Sequence, residues 1–237
     1  MKLHTREWGT GDRIALLIHG IQADHRTWRL VGPALAERGY RVIAADLRGH
    51  GASPRGAGAG PAERYHPARY ADDLVETLPA GVALALGHSM GGLALRDAVE
   101  RLKPARAVYS DPAFVYDRPG AGPEPFVGFK RFGTRAFITA MHPGWAAEDV
   151  DVELATLAVW DPDTAVGLWA HPGHSGLPAA AAVPSLVQLA DPSTLVTPVE
   201  AERLRTRGFE VRTVPGTGHC IHRDDPAAFL DSLDGWI

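Results

Sequence analysis

The sequence predicts an α/β protein, a mostly parallel, doubly wound sheet with an inserted, mainly helical cap. Three observations predict it. Apolar runs such as Arg13-Ile14-Ala15-Leu16-Leu17-Ile18 and Arg41-Val42-Ile43-Ala44-Ala45 lack polar alternation and read as strands buried on both faces. Stretches with apolar residues at helical spacing separate such runs, and alternating strands and helices argue a parallel sheet. From about Ala113 to Val183 the alternation stops while aromatic residues concentrate, with five of the seven Phe and three of the six Trp. That stretch is too long for a simple loop and reads as an insertion.

Taken in order, residues 2–8 are expected to form a short edge strand. The run 13–18 is the first buried strand and ends in His19-Gly20. Trp28, Val31 and Leu35 keep a helical spacing that Gly39 closes. The strand at 41–45 leads into Asp46-Leu47-Arg48-Gly49-His50-Gly51, followed by an Ala/Gly/Pro-rich stretch from Ala52 to Pro61. Ala71, Leu74, Val75 and Leu78 mark the next helix. Val82 to Leu86 is a strand, and Leu95, Ala98, Val99 and Leu102 form one face of a helix behind it. Ala105 to Tyr109 is a strand ending at Ser110-Asp111-Pro112. After the insertion, Pro184 to Ala190 is a strand ending at Asp191. Thr197-Pro198-Val199-Glu200 is a capping box with Pro at the first helical position, so a helix starts there and stops near Gly208. Phe209 to Val214 is the last strand, and Asp225-Pro226 opens the final helix. These elements divide the chain into a core of residues 1–112 and 184–237 and a cap of residues 113–183.

The chemistry concentrates at Gly87-His88-Ser89-Met90-Gly91, a G-x-S-x-G between a strand and a helix. A serine on so sharp a turn needs neighbours without a Cβ, and the following helix turns its positive end toward the hydroxyl. The bland alternative is a turn whose serine merely caps the helix. A serine is a poor nucleophile at neutral pH unless a base takes its proton and a third group orients the base. His219, just past the last strand, is the expected base. Asp191, past the preceding strand, is the expected acid, and Asp111, also at a strand end, is its competitor. Two backbone donors should form an oxyanion hole: the N–H of Met90, which follows the serine, and that of Ile21, which follows His19-Gly20. Gln22 and His25 lie in the same loop and are expected to touch substrate. Most aromatics of the insertion should form its own core, with Trp145 and Trp160 expected to face the serine in an apolar pocket.

Together, His19-Gly20, Asp46 to Gly51, Gly87 to Gly92, Asp191 and Gly218-His219 resemble the α/β-hydrolase superfamily, in its small capped single-domain branch. The resemblance spans nearly the whole chain outside the cap. It implies an esterase-like Ser-Asp-His enzyme, with the Asp46 to Gly51 loop shaping the mouth of the site and His88 packing under the sheet. The N-terminal hairpin usual in the family looks shortened. The expected reaction is hydrolysis of a small or medium apolar ester, thioester or lactone through an acyl-enzyme. The same triad also serves carbon–carbon bond hydrolysis and other cofactor-free chemistry in the family, and a ligand-binding protein with a slow triad is the reading from another class.

The remaining features bound the partners. The net charge of −4 gives no reason to expect nucleic acid or an anionic membrane. No apolar run approaches the length of a membrane span. The single cysteine, Cys220, excludes an internal disulfide framework and, with no signal peptide evident, points to a cytoplasmic protein. No phosphate-binding loop or dinucleotide fingerprint is present, so no cofactor is expected. His171-Pro172-Gly173-His174 lacks a paired carboxylate, and no metal is expected there. The pattern carries no signal of subunit number.

Overall fold

A computed structural model describes residues 1–237. Strand β1 (Thr5–Trp8) precedes β2 (Arg13–Ile18), a short 3-10 turn (His25–Trp28), helix α1 (Val31–Glu37) and β3 (Tyr40–Ala45). Helices α2 (Pro61–Arg64) and α3 (Pro67–Thr77) lead to β4 (Leu84–His88), α4 (Met90–Leu102) and β5 (Ala107–Ser110). Between β5 and β6 lie α5 (Glu124–Phe132), α6 (Arg135–Met141), α7 (Ala147–Val159), α8 (Asp163–Trp169) and a 3-10 turn (Pro172–His174). Then come β6 (Ser185–Leu189), α9 (Pro198–Thr206), β7 (Phe209–Thr213), α10 (Ile221–Asp224) and α11 (Pro226–Asp231).

The seven strands form one sheet in the order β1-β3-β2-β4-β5-β6-β7, with only β1 antiparallel to its neighbour. Because successive side chains of a strand point to opposite faces, each buried strand feeds two cores. Leu16, Ile18, Ile43 and Ala45 face a core of 31 buried residues shared with α3, α4 and α9. Ala15, Leu17, Val42 and Ala44 face the opposite core, shared with α1 and α11. This two-sided burial is why the strands are uninterrupted apolar runs. No helix is long and apolar enough to cross a membrane.

The expected elements are present, with one shortened and two short helices added. The edge strand is confined to Thr5–Trp8, the Ala52 to Pro61 stretch runs into a one-turn helix, and α10 precedes the final helix. The capping box is complete: Thr197 Oγ1 accepts the Glu200 N–H at 3.2 Å, and Glu200 Oε2 accepts the Thr197 N–H at 2.8 Å.

The segment between β5 and β6 is helical and carries its own small core of Ile138, Val150, Leu157, Trp160 and Ala165. Polar ties hold α7 and the turn before α8 to the sheet layer. The Arg29 guanidinium donates twice to Asp149, at 3.0 and 2.6 Å, Arg223 Nη1 donates to Glu153 at 2.5 Å, and the Tyr65 hydroxyl donates to Asp161 at 2.6 Å. Helix α5 buries no residue and α6 buries only Ile138, leaving Phe132, Phe137 and Met141 exposed.

Candidate active site

Ser89 stands at the β4–α4 junction with φ 53° and ψ −119°, a left-handed conformation that costs a non-glycine residue about 1–3 kcal/mol. The surrounding glycines make that turn possible. A Cβ on Gly87 would lie 2.5 Å from the Gly91 carbonyl oxygen, and one on Gly91 would run into the Ile18 and His19 carbonyls. Three backbone segments therefore meet at the elbow with no room for a side chain. The Ser89 side chain makes no capping hydrogen bond to the helix behind it, contrary to the bland reading of the motif.

His219 lies in the loop after β7 with its side chain 37% exposed, and its Nδ1–H donates to Asp111 Oδ2 at 2.6 Å. Asp111 is fully buried just past β5, between the ends of β4 and β6. Burial alone would raise its carboxyl, but the hydrogen bond and charge of His219, with further donors from Ser193 and the Ala190 N–H, hold it below the usual range. Asp191, the sequence expectation for this partner, is exposed and is not the residue bonded to His219. The reason is register. Ser110 pairs with Gln188, so Asp111 is level with Leu189 and Asp191 lies beyond the sheet edge. Its N–H joins the Thr217 carbonyl at 2.8 Å. Asp111, the competitor at the end of the preceding strand, keeps the chain order Ser, Asp, His equally well, and the local sequence does not separate the two.

His88 braces the His219 segment. Its Nε2–H donates to the His219 carbonyl at 2.9 Å, and its ring lies 4.6 Å from that of His219 and 4.8 Å from that of His222. Burial chiefly, with the neighbouring His219, lowers His88 to about 3, so it is a neutral spacer at physiological pH. Desolvation pushes the Cys220 thiol up to about 12.

The loop after β2 closes over the serine. A Cβ on Gly20 would come within 3.0 Å of the Ser89 Cβ and of His88 Nδ1, so the backbone there touches the elbow. The Ile21 N–H and the Met90 N–H, the latter at the first position of α4, enter no backbone hydrogen bond and remain as donors. His19 shapes this loop from within: its Nδ1–H donates to the Gly20 carbonyl at 2.7 Å and its Nε2 accepts the Leu47 N–H at 2.9 Å. The Asp46 to Gly51 loop is thereby part of the same corner, and its Arg48 forms a buried ion pair with Asp73 at 2.6 and 2.8 Å.

The expected substrate contacts fare differently. Gln22 has φ 65° and its amide donates to the Phe126 carbonyl at 2.9 Å, tying the loop to α5. His25 is bonded to Asp46 through its ring and its backbone N–H. Trp145 is held between His142, stacked at 3.8 Å, and the Arg223 guanidinium at 3.6 Å, while its Nε1–H donates to Asp224 at 2.6 Å. Trp160 is fully buried in the insertion's core with its Nε1–H on Thr164, so it is not a substrate contact. The residues that join the two layers are Ile21 and Trp169, each packed against both the sheet core and the insertion core, with Phe126 lying 5.2 Å from the Trp169 ring. The first lies next to a loop motif and the others among many aromatics, so only the folded packing singles them out.

Residues 15–232 match the model of the alpha/beta hydrolase family. The chain belongs to that family. Among proteins of known name, it is 38% identical over 129 residues to a pimeloyl-[acyl-carrier protein] methyl ester esterase of Sodalis glossinidius, covering 52% of this chain and 47% of that protein. It is 37% identical over 94 residues to an epoxide hydrolase of Caballeronia sordidicola, covering 38% of this chain and 27% of that one. The matched part is thus less than half the length of either relative. Among solved structures, an N-formylmaleamic acid deformylase from Pseudomonas putida superposes with a TM-score of 0.79 at 22% identity, covering 98% of this chain and 95% of that one, a likeness of fold.

Proposed function

We propose that the chain is a serine hydrolase that cleaves a small or medium apolar ester, thioester or lactone through an acyl-enzyme. The observation that carries the reading is the hydrogen bond of His219 to the buried Asp111, at the same edge of the sheet as a serine on a strained turn flanked by glycines. In this reading the Ser89 Oγ attacks the substrate carbonyl carbon as its proton passes to His219 Nε2. Asp111 keeps the His219 Nδ1–H in place and stabilises the imidazolium. The Ile21 and Met90 N–H groups receive the oxyanion, and the imidazolium protonates the leaving group. Water, deprotonated by His219, then releases the acid and restores the serine.

The similarity to a methyl ester esterase favours an ester among the acyl substrates. Residues 113–183 act as the cap over a core of residues 1–112 and 184–237. Ile21 and Trp169, which pack against both the cap core and the layer that holds the serine, form with the neighbouring Phe126 the apolar wall that selects the acyl group. The test is a panel of p-nitrophenyl esters of increasing chain length with wild type and Ser89→Ala, alongside labelling by a fluorophosphonate. The expected outcome is turnover of short apolar esters, stoichiometric labelling of Ser89, and a loss of about 10⁶ in kcat for the variant, by analogy with subtilisin. A folded protein that never labels is a binding protein, and full activity in Ser89→Ala refutes the mechanism.

A further inference from the structure

Three side chains away from the serine meet at one point. His4 lies just before β1, His25 opens the 3-10 turn, and Asp46 follows β3. His4 Nδ1 is 2.9 Å from Asp46 Oδ2, and His25 Nδ1 is 2.8 Å from Asp46 Oδ1. One ligand atom from each of the three residues can be chosen so that all lie within 4.8 Å of one another.

The carboxylate is fixed independently of the imidazoles. Its Oδ1 accepts the His25 N–H at 2.8 Å, its Oδ2 accepts the Ala52 N–H at 3.0 Å, and the Gly51 backbone packs so closely that a Cβ would collide with it. Each oxygen therefore spends one acceptor direction on the backbone and offers the other to an imidazole. Asp46 is fully buried, whereas the side chains of His25 and His4 are 21% and 41% exposed, so the set has a rigid floor and an open side.

We propose that His4, His25 and Asp46 form a binding site for one divalent transition-metal ion of the zinc type, with both Nδ1 atoms and the Asp46 carboxylate as ligands. In taking the ion, each neutral imidazole moves its proton from Nδ1 to Nε2, which frees the Nδ1 lone pair, and the two backbone donors stay on the carboxylate. Ligand atoms about 2.0–2.2 Å from a tetrahedral ion stand about 3.4 Å apart, a spacing a small rotation of the exposed His4 ring supplies. Two imidazoles with one carboxylate favour zinc, cobalt or nickel over magnesium or calcium. The remaining positions go to water on the open side.

The position gives the ion something to hold. Asp46 adjoins Leu47, whose N–H is received by His19, and His19 in turn holds the Gly20 carbonyl. A bound ion therefore clamps the N-terminal segment and the loop at residue 25 to the corner that carries the Ile21 N–H. The cluster of His66, His171 and His174 is built differently. His171 Nε2 donates to the Ala62 carbonyl and His174 Nε2 to Asp97, so the nitrogens of that cluster are spread over separate acceptors.

The test uses the untagged full chain, stripped with chelator and titrated with Zn²⁺ by calorimetry and with Co²⁺ by visible absorption. Wild type is expected to bind one ion saturably, with a melting temperature that rises with added Zn²⁺. His4→Ala, an exposed substitution whose folding a thermal melt verifies, is expected to lose at least tenfold in affinity together with the thermal shift, and His25→Gln likewise. His174→Gln should bind as wild type. Absence of saturable binding, undiminished affinity in His4→Ala, or loss of the ion in His174→Gln instead overturns the assignment.

Discussion

Replacing Asp111 by Asn separates the two carboxylates that the sequence offered as partners of His219. The native contact is a 2.6 Å hydrogen bond to a fully buried carboxylate. An amide of the same shape keeps the packing but removes the charge that stabilises the imidazolium, and it permits the wrong histidine tautomer. The corresponding change in chymotrypsin-type enzymes costs about 10⁴ in kcat, or about 5.5 kcal/mol of transition-state stabilisation. Asp191→Asn alters an exposed side chain whose backbone N–H is already held by Thr217. Its kcat is therefore expected within about twofold of wild type, as for a surface change without special partners. The assay is hydrolysis of a short p-nitrophenyl ester under saturating substrate, with thermal melts to confirm that both variants are folded. A drop of about a hundredfold or more in Asp191→Asn, with Asp111→Asn keeping above a tenth of wild-type kcat, refutes the assignment.

Three further outcomes follow from the geometry. Gln22→Ala removes the tie between the Ile21 loop and α5, a net hydrogen bond of about 0.5–1.5 kcal/mol, so kcat/KM should fall about two- to tenfold with the melting temperature little changed. Asp73→Ala leaves the Arg48 guanidinium buried without its counter-charge and should cost about 3–5 kcal/mol in urea denaturation. His50 and His88 are both lowered to about 3, chiefly by burial, so the unfolded chain takes up protons below about pH 6.5 that the folded chain refuses. Stability should then fall between pH 7 and pH 5 by about 2 kcal/mol for each. Urea midpoints that stay level over that interval would falsify the neutral assignment of these two rings.

Much of this molecule is legible in the chain because buried strands must be apolar on both faces and tight turns must discard side chains. The runs at 13–18 and 41–45, the glycines around Ser89 and the capping box at Thr197 each state a local constraint that no distant contact overrides. His219 is legible for the same reason, as a histidine at the end of the last strand. Asp111 and Asp191 are locally alike, each an Asp-Pro after a short strand, and only the lateral register of β5 against β6 decides which lies beneath the imidazole. The aromatic residues fail similarly. Trp160 and Trp169 lie nine positions apart among comparable neighbours, yet one is sealed inside the insertion and the other bridges to the sheet. Such differences are set by how helices cross, which spacing along the chain does not encode.

The uneven attachment of the insertion has a consequence for how substrate arrives. Helix α7 and the turn before α8 are pinned by Asp149, Glu153 and Asp161, so displacing them separates charged groups from their partners. Helices α5 and α6 bury a single residue between them and meet the Ile21 loop through Gln22. Local opening is cheapest where few apolar contacts are lost, so residues 124–141, tied to α7 mainly by Lys130 and Arg135, are expected to open more readily than α7 and α8. Gln22 joins α5 to the loop that carries the Ile21 N–H, so a displacement of α5 pulls on that loop as well. In the proposed reading, an acyl group that props α5 outward would also shift the Ile21 N–H, so the length of the chain would be felt at the carbonyl.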